Sequence, residues 1–131
     1  MIERIIALGI VFLLIGIFRK VIFHGTSKLS IQLPDKYSVK NSHPTILYFW
    51  TDQCVQCKTS QKPALVKLKN EYDKFNLIDV NALTEKELTS TCNIKTVPST
   101  VVFSKEGKSR FINNGFRNKE ELLKQLSAAR N

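Results

Sequence analysis

Between Thr45 and Trp50 the chain reads TILYFW, six residues without a charge and dominated by β-branched and aromatic side chains. That is the composition of a strand buried on both faces at the centre of a sheet. From about Cys54 the period changes: Ala64, Leu65, Leu68 and Tyr72 fall on one stripe at spacings of one, three and four, while Lys62, Lys67, Lys69 and Lys74 occupy the rest. This is an amphipathic helix, and Pro63 inside the pattern should kink it. A buried strand that runs directly into a helix commits the chain to a crossover, with the next strand returning parallel to the first.

The remaining segments fit that frame. FNLIDV (residues 75–80) reads as the second strand, TEKELTSTC (84–92) as a polar helix and STVVF (99–103) as a third strand. SKEGK is a turn with glycine where a hairpin wants one, and SRFIN (109–113) is the partner strand. A last helix starts near Asn118, which can cap it, with Glu121 three residues on in a capping-box pattern. The order β-α-β-α-β-β-α combines one parallel crossover with a terminal hairpin, so the expected class is α/β, a mixed β-sheet flanked by helices.

The chain has 131 residues and a net charge of +9. Its first two dozen residues are unlike the rest, which leaves roughly 100 for a single domain (43–131). Residues 1–24 carry +2, so the remainder keeps +7. The lysines are spread along the chain, without a dense cluster interleaved with aromatics, and no nucleic acid is expected as a partner. A solvated basic surface attracted to anionic lipid accounts for the charge.

IIALGIVFLLIGIF (residues 5–18) has no charged or polar side chain. Its eleven Ile, Leu, Val and Phe residues favour the bilayer by roughly 5 kcal/mol. Fourteen residues fall short of the ~20 that span a membrane, but VIF after Arg19-Lys20 extends the apolar run to Phe23 if those two cations snorkel, and no A-x-A-like cleavage site follows. Residues 1–24 are therefore expected to form an uncleaved single-pass anchor, a transmembrane helix over 5–23, with a cleaved signal peptide as the alternative. Residues 25–42, rich in Gly, Ser, Pro and charges, read as a tether containing one edge strand, LSIQL.

Cys54 and Cys57 stand at the strand-to-helix junction. A thiol reacts as thiolate, and at a pKa of about 8.5 only ~3% is ionised at pH 7, against roughly half at a pKa near 7. The difference is about 2 kcal/mol, much of which free N–H groups and the dipole of a helix N-terminus can supply. Cys57, one turn on, can close a short disulfide. The residues alone leave three readings: a redox pair, part of a copper or zinc site completed by Cys92 or a histidine, or two small apolar side chains. Neither a second C-x-x-C nor an H-x₃₋₅-H is present to complete a structural zinc site. Cys92 is read as a buried small hydrophobe, His24 and His43 as solvated, and Asp52 and Lys58 as exposed.

Phe49-Trp50, three residues, then Cys54-Val55-Gln56-Cys57-Lys58 resembles the active-site segment of the thioredoxin family. NIKTVPSTVVF resembles that family's segment with a cis-proline, at Pro98, and Gly115 its glycine before the last helix. The resemblance, over about residues 43–131, implies a thioredoxin-like fold and thiol–disulfide exchange without a cofactor: Cys54 attacks a protein disulfide and Cys57 resolves the mixed disulfide. It also implies that the Val97 backbone pairs with an extended substrate segment and that Trp50 packs beside the site.

Short N-terminal anchors of exported redox domains resemble residues 1–24. On that likeness the domain is expected outside the cytoplasm, although the count of flanking cations by the positive-inside rule points the other way. The function that follows is a membrane-anchored oxidoreductase acting as a reductase, supplied by a membrane electron carrier. The alternatives are a metal-binding thioredoxin-like protein and a tethered binding module without turnover. The chain departs from the family in four places. Tyr48 replaces the buried acid two residues before the tryptophan, Val-Gln replaces Gly-Pro between the cysteines, Pro63 follows Cys57 by six residues, one more than is usual, and the region before Thr45 is too short for the family's full first helix. Asp79, on the neighbouring strand, is the candidate substitute for the acid.

Overall fold

The computed structural model describes residues 1–24 and 30–131, for residues 20–24 the backbone only. Strand β1 (Thr45–Trp50) lies inside a four-stranded sheet of order β2-β1-β3-β4, with β2 at Asn76–Asn81, β3 at Ser99–Phe103 and β4 at Ser109–Asn114. β2 runs parallel to β1, β3 antiparallel to it, and β4 pairs with β3 as a hairpin. This is the mixed sheet expected from the order of the segments.

The period-two alternation of β1 feeds two cores. Ile46 and Tyr48 pack on one face with Leu65 and Leu68 of helix α2 (Lys62–Glu71) and Leu122 and Leu126 of α4 (Lys119–Ala129). Leu47 and Phe49 pack on the other with Leu88 of α3 (Lys86–Thr91), Cys92 and Leu33. The predicted cap of α4 is present: the Glu121 N–H donates to Asn118 Oδ1 at 2.9 Å, and the Asn118 N–H donates to the Glu121 carboxylate at 3.1 Å.

The helix after β1 is irregular immediately before Pro63, where the kink was expected. Cys57–Gln61 form a π-helical turn, which the Lys62 N–H closes by donating to the Cys57 carbonyl. One extra residue is taken up in that turn. Pro63 follows directly, in the first turn of α2, and has no N–H to give to the turn before it.

Helix α1 (Ile2–His24) carries the apolar run, but the expected transmembrane span over 5–23 is corrected. Among the described residues no helix is long and apolar enough to cross a membrane. The uncharged stretch of fourteen residues, about 21 Å of helix against a hydrocarbon core of about 30 Å, is bounded by Glu3-Arg4 and Arg19. The side chains of residues 20–23, by which the run was extended, lie outside the described residues, as does the tether over 25–29. The large apolar side chains from Ile5 to Phe18 are between 48% and 73% exposed and fall on every side of the helix.

Residues 31–37 are laid against the domain. The Leu33 N–H donates to the Gly107 carbonyl at 2.7 Å, the Ser109 N–H to the Ile31 carbonyl at 2.9 Å, and Leu33 is buried. Where LSIQL was expected to form an edge strand, the described residues make a single antiparallel bridge, Gln32 opposite Lys108. Tyr37 donates its hydroxyl to Glu85 just before α3, at 2.8 Å. Gly107, with φ of +80°, turns the β3–β4 hairpin under this segment, and a Cβ there would lie 2.8 Å from Gln32 Nε2. The amide can move aside, so the backbone angle sets the cost. Gly107→Ala is expected to lower stability by about 1 kcal/mol in urea unfolding, with the reactivity of the cysteine pair unchanged at the far end of the sheet.

Candidate active site

Strand β1 ends at Trp50, and the chain turns through Thr51–Gln53, with the Cys54 N–H donating to the Thr51 carbonyl at 3.2 Å. Cys54 therefore sits immediately before the first helical residue, Val55. Its Sγ accepts the Cys57 backbone N–H at 3.1 Å, as a side chain does at a helix N-cap. Cys54 and Cys57 are joined as a disulfide, with 5.3 Å between their Cα atoms. After reduction the same N–H faces a Cys54 thiolate, a charge-assisted bond that lowers the cost of ionisation. The two sulfurs differ in access: Cys54 is half-buried, whereas Cys57 is 1% exposed within the α2–α4 core. Only Cys54 is open to attack from outside.

Side chains from β1, β2 and the start of α2 close around the pair. The Tyr48 hydroxyl, on β1, donates to the Cys57 carbonyl at 3.1 Å. Burial, with the Asp79 charge as second cause, pushes the Tyr48 phenol from its ordinary 10.0 up to about 12. Behind Cys57 lies a cleft of about 220 Å³ lined by Tyr48, Trp50, Thr51, Lys58, Lys62 and Asp79. Lys62, from the end of the π turn, forms an ion pair with Asp79 of β2 and stands 5.8 Å above the Tyr48 ring. Register matters here, since Tyr48 and Asp79 are direct partners across β1 and β2.

The Val97–Pro98 peptide is cis and immediately precedes β3. Because Phe49 pairs with Ser99, this peptide lies beside the end of β1 from which the cysteine segment leaves. The Gly115 N–H donates to the Pro98 carbonyl at 2.9 Å, with Gly115 at φ +93°. Trp50 and Val97 are half-buried and pack on the same core as Cys54. The Trp50 indole N–H is buried and has no partner among the described residues.

Sequence reasoning missed Gln61 and Lys62. Gln61 is fully buried, and its amide both donates to the Arg117 carbonyl and accepts the Arg117 N–H, each at 3.0 Å. This clips the loop before α4 to the π turn. Nothing in a single glutamine announces such a role. Lys62 was hidden by the assumption of a regular helix, although the extra residue before Pro63 was countable.

Cys92 lies in the core of the opposite sheet face and is not brought to the pair. Among the described residues no group of three or more His, Cys, Asp and Glu gathers around a common point. His43, Asp52 and Lys58 are exposed, while the His24 side chain lies outside the described residues.

The sequence profile of the family described as thioredoxin matches residues 34–128. Among solved structures, thioredoxin-2, a component of malaria parasite protein secretion machinery, is similar at 21% identity and a TM-score of 0.61, covering 66% of this chain and 82% of that one. Mitochondrial thioredoxin 3 of Saccharomyces cerevisiae, in its oxidised form, is similar at 21% identity and a TM-score of 0.59, covering 68% and 81%. DsbF of MTB is similar at 14% identity and a TM-score of 0.57, covering 67% and 81%. Among curated proteins, none matches the sequence.

Burial also pushes the Cys92 thiol, from its ordinary 9.0 up to about 11. Native Cys92 and Tyr48 thus stay protonated after their unfolded counterparts have ionised. The stability they contribute is complete below about pH 9 and is lost as pH rises from there to about 12. Urea unfolding from pH 8 to 11.5 should show this fall, and Cys92→Ala should remove its part between about 9 and 11. An identical slope in that variant would show that the Cys92 thiol does not contribute.

Proposed function

The chain belongs to the thioredoxin family and is a thiol–disulfide oxidoreductase, and we propose that it works as a reductase of protein disulfides, held at a membrane by α1. The observation that carries this reading is the asymmetry of the pair. Cys54 is accessible and accepts a helix N–H, while Cys57 is buried one turn behind it.

In the forward reaction the Cys54 thiolate attacks one sulfur of a substrate disulfide. The substrate S–S bond breaks, one substrate thiolate leaves and takes a proton from water, and a mixed disulfide remains. Cys57 then loses its proton and attacks Cys54 Sγ, which forms the Cys54–Cys57 disulfide and releases the second substrate thiol. Two electrons have passed to the substrate, and a reducing partner of the membrane electron-carrier class returns them. Trp50 and Val97, the residue before the cis peptide bond, pack on the same core as Cys54. An extended substrate segment pairs with the Val97 backbone there, so that main-chain bonds hold the disulfide in line for attack.

Membrane attachment is supported by the apolar surface of α1. A helix exposed at Ile5, Leu8, Phe12, Leu14 and Phe18 together has no stable place in water. The seven residue steps from His24 to Ile31 can reach at most about 25 Å, so the domain works close to the bilayer. We place the domain on the extracytoplasmic side, where protein disulfides persist and need a reductase.

Cys57→Ser should accumulate mixed disulfides through Cys54, since attack proceeds and resolution does not, while Cys54→Ser should trap almost nothing. Non-reducing electrophoresis with diagonal reduction reads this, and trapping by the Cys54 variant would reverse the roles. A membrane-impermeant maleimide applied to whole cells after reduction should label Cys54. Labelling that needs lysis would put the domain in the cytoplasm.

A further inference from the structure

Resolution of the mixed disulfide requires Cys57 to become a thiolate although it is 1% exposed, so a group beside it must take the proton. The groups facing Cys57 can be gone through one by one. From β1 comes Tyr48, whose hydroxyl donates to the Cys57 carbonyl. From the π turn and the start of α2 come Lys58 and Lys62, both cations. α4 and the rest of α2 present the apolar side chains Leu122, Leu126, Leu65 and Leu68. From β2 comes Asp79, which lines the same cleft as Cys57. Its carboxylate is the one acceptor in that set.

We propose that Asp79, held by Lys62 across the cleft behind the cysteine pair, takes the Cys57 thiol proton during resolution. The inference deepens the oxidoreductase reading and rests on it. The cleft of about 220 Å³ has room for several waters at about 30 Å³ each, enough to relay a proton between sulfur and carboxylate. The step balances as follows. The Cys57 S–H proton passes through water to the Asp79 carboxylate, and the freed electron pair makes the new bond to Cys54 Sγ. The bond from Cys54 to the substrate sulfur breaks, and that substrate sulfur leaves as thiolate.

The π turn is what makes this arrangement possible. In a regular α-helix, five residues turn the chain by about 500°, which would leave residue 62 about 140° around the axis from Cys57. The π turn closes an i to i+5 bond from Lys62 to Cys57, and so brings Lys62 much nearer to the face of the helix that carries the cysteine. The ammonium then meets Asp79 and the open face of the Tyr48 ring. Lys62 is a positioning residue: it fixes the carboxylate, and its charge in the cleft favours the thiolate that resolution requires.

An aromatic disulfide with a coloured thiolate separates the steps by rapid mixing with the reduced full-length protein. The first release reports attack by Cys54 and the second reports resolution by Cys57. Between pH 6 and 8 the second phase of the wild type should be nearly flat, because its base is internal. In Asp79→Asn it should be at least tenfold slower at pH 6 and rise about tenfold per pH unit, while the first phase is unchanged. Asp79→Glu should restore the flat profile. A second phase in Asp79→Asn with the wild-type pH dependence overturns the proposal. So does a slow second phase that Asp79→Glu leaves unrestored, which would assign the effect to packing. A wild type without a first phase would instead sink the oxidoreductase reading, and this inference with it.

Discussion

β1 sends Ile46 and Tyr48 into one core and Leu47 and Phe49 into the other, so a shift of one residue would exchange the two sets and unmake both. That double burial fixes the register against β2 and β3. Register then decides what stands at the end of the strand. It aligns Asp79 with Tyr48 on one side and brings Ser99, with the cis peptide before it, alongside Phe49 on the other. The cysteine segment leaves β1 between these two neighbours. The site is thus a consequence of where a buried strand must stop, and its polar groups are held by a sheet they do little to stabilise.

Tyr48 shows how the surroundings of Cys57 are rearranged as a set. A phenol at this place fills the core and satisfies the Cys57 carbonyl, but burial and the nearby Asp79 charge hold its proton firmly. An acid moved to β2 can face the same cleft only if its charge is balanced there. The π turn supplies that balance by rotating Lys62 toward the face of Cys57. The extra residue and the phenol are two departures from the family pattern at separate points of the sequence, and in space Tyr48, Lys62 and Asp79 meet around one cleft.

Much of this was legible in the sequence, for reasons that can be named. TILYFW and STVVF gave their strands without error because both are interior and carry no competing pattern. FNLIDV was shifted by one residue against the observed Asn76–Asn81, as an edge strand with mixed burial allows. The cap at Asn118 and the turn at Gly107 follow from local chemistry and stood where expected. The π turn was not legible, because helix periodicity assumes a constant rotation per residue and Pro63 drew the irregularity to itself. The Gln61 clip and the Lys62–Asp79 pair depend on that rotation and were lost with it. The N-terminal run was overread as a span because its length was taken through Arg19 and Lys20, where charge interrupts it.

The two ends of the sheet carry different demands. At one end the hairpin at Gly107 receives Ile31–Leu33, ties them by backbone hydrogen bonds, and buries Leu33. At the other, β1 stops, the cis peptide precedes β3, and Gly115 follows β4, so three interruptions of regular pairing fall at the end from which the cysteine segment leaves. A strand of five or six residues, about 17 to 20 Å, separates the two ends. Residues 31–33 therefore join the sheet at the end remote from Cys54, and their hydrogen bonds to the hairpin leave the irregular end, where the cis peptide lies, unpaired by them.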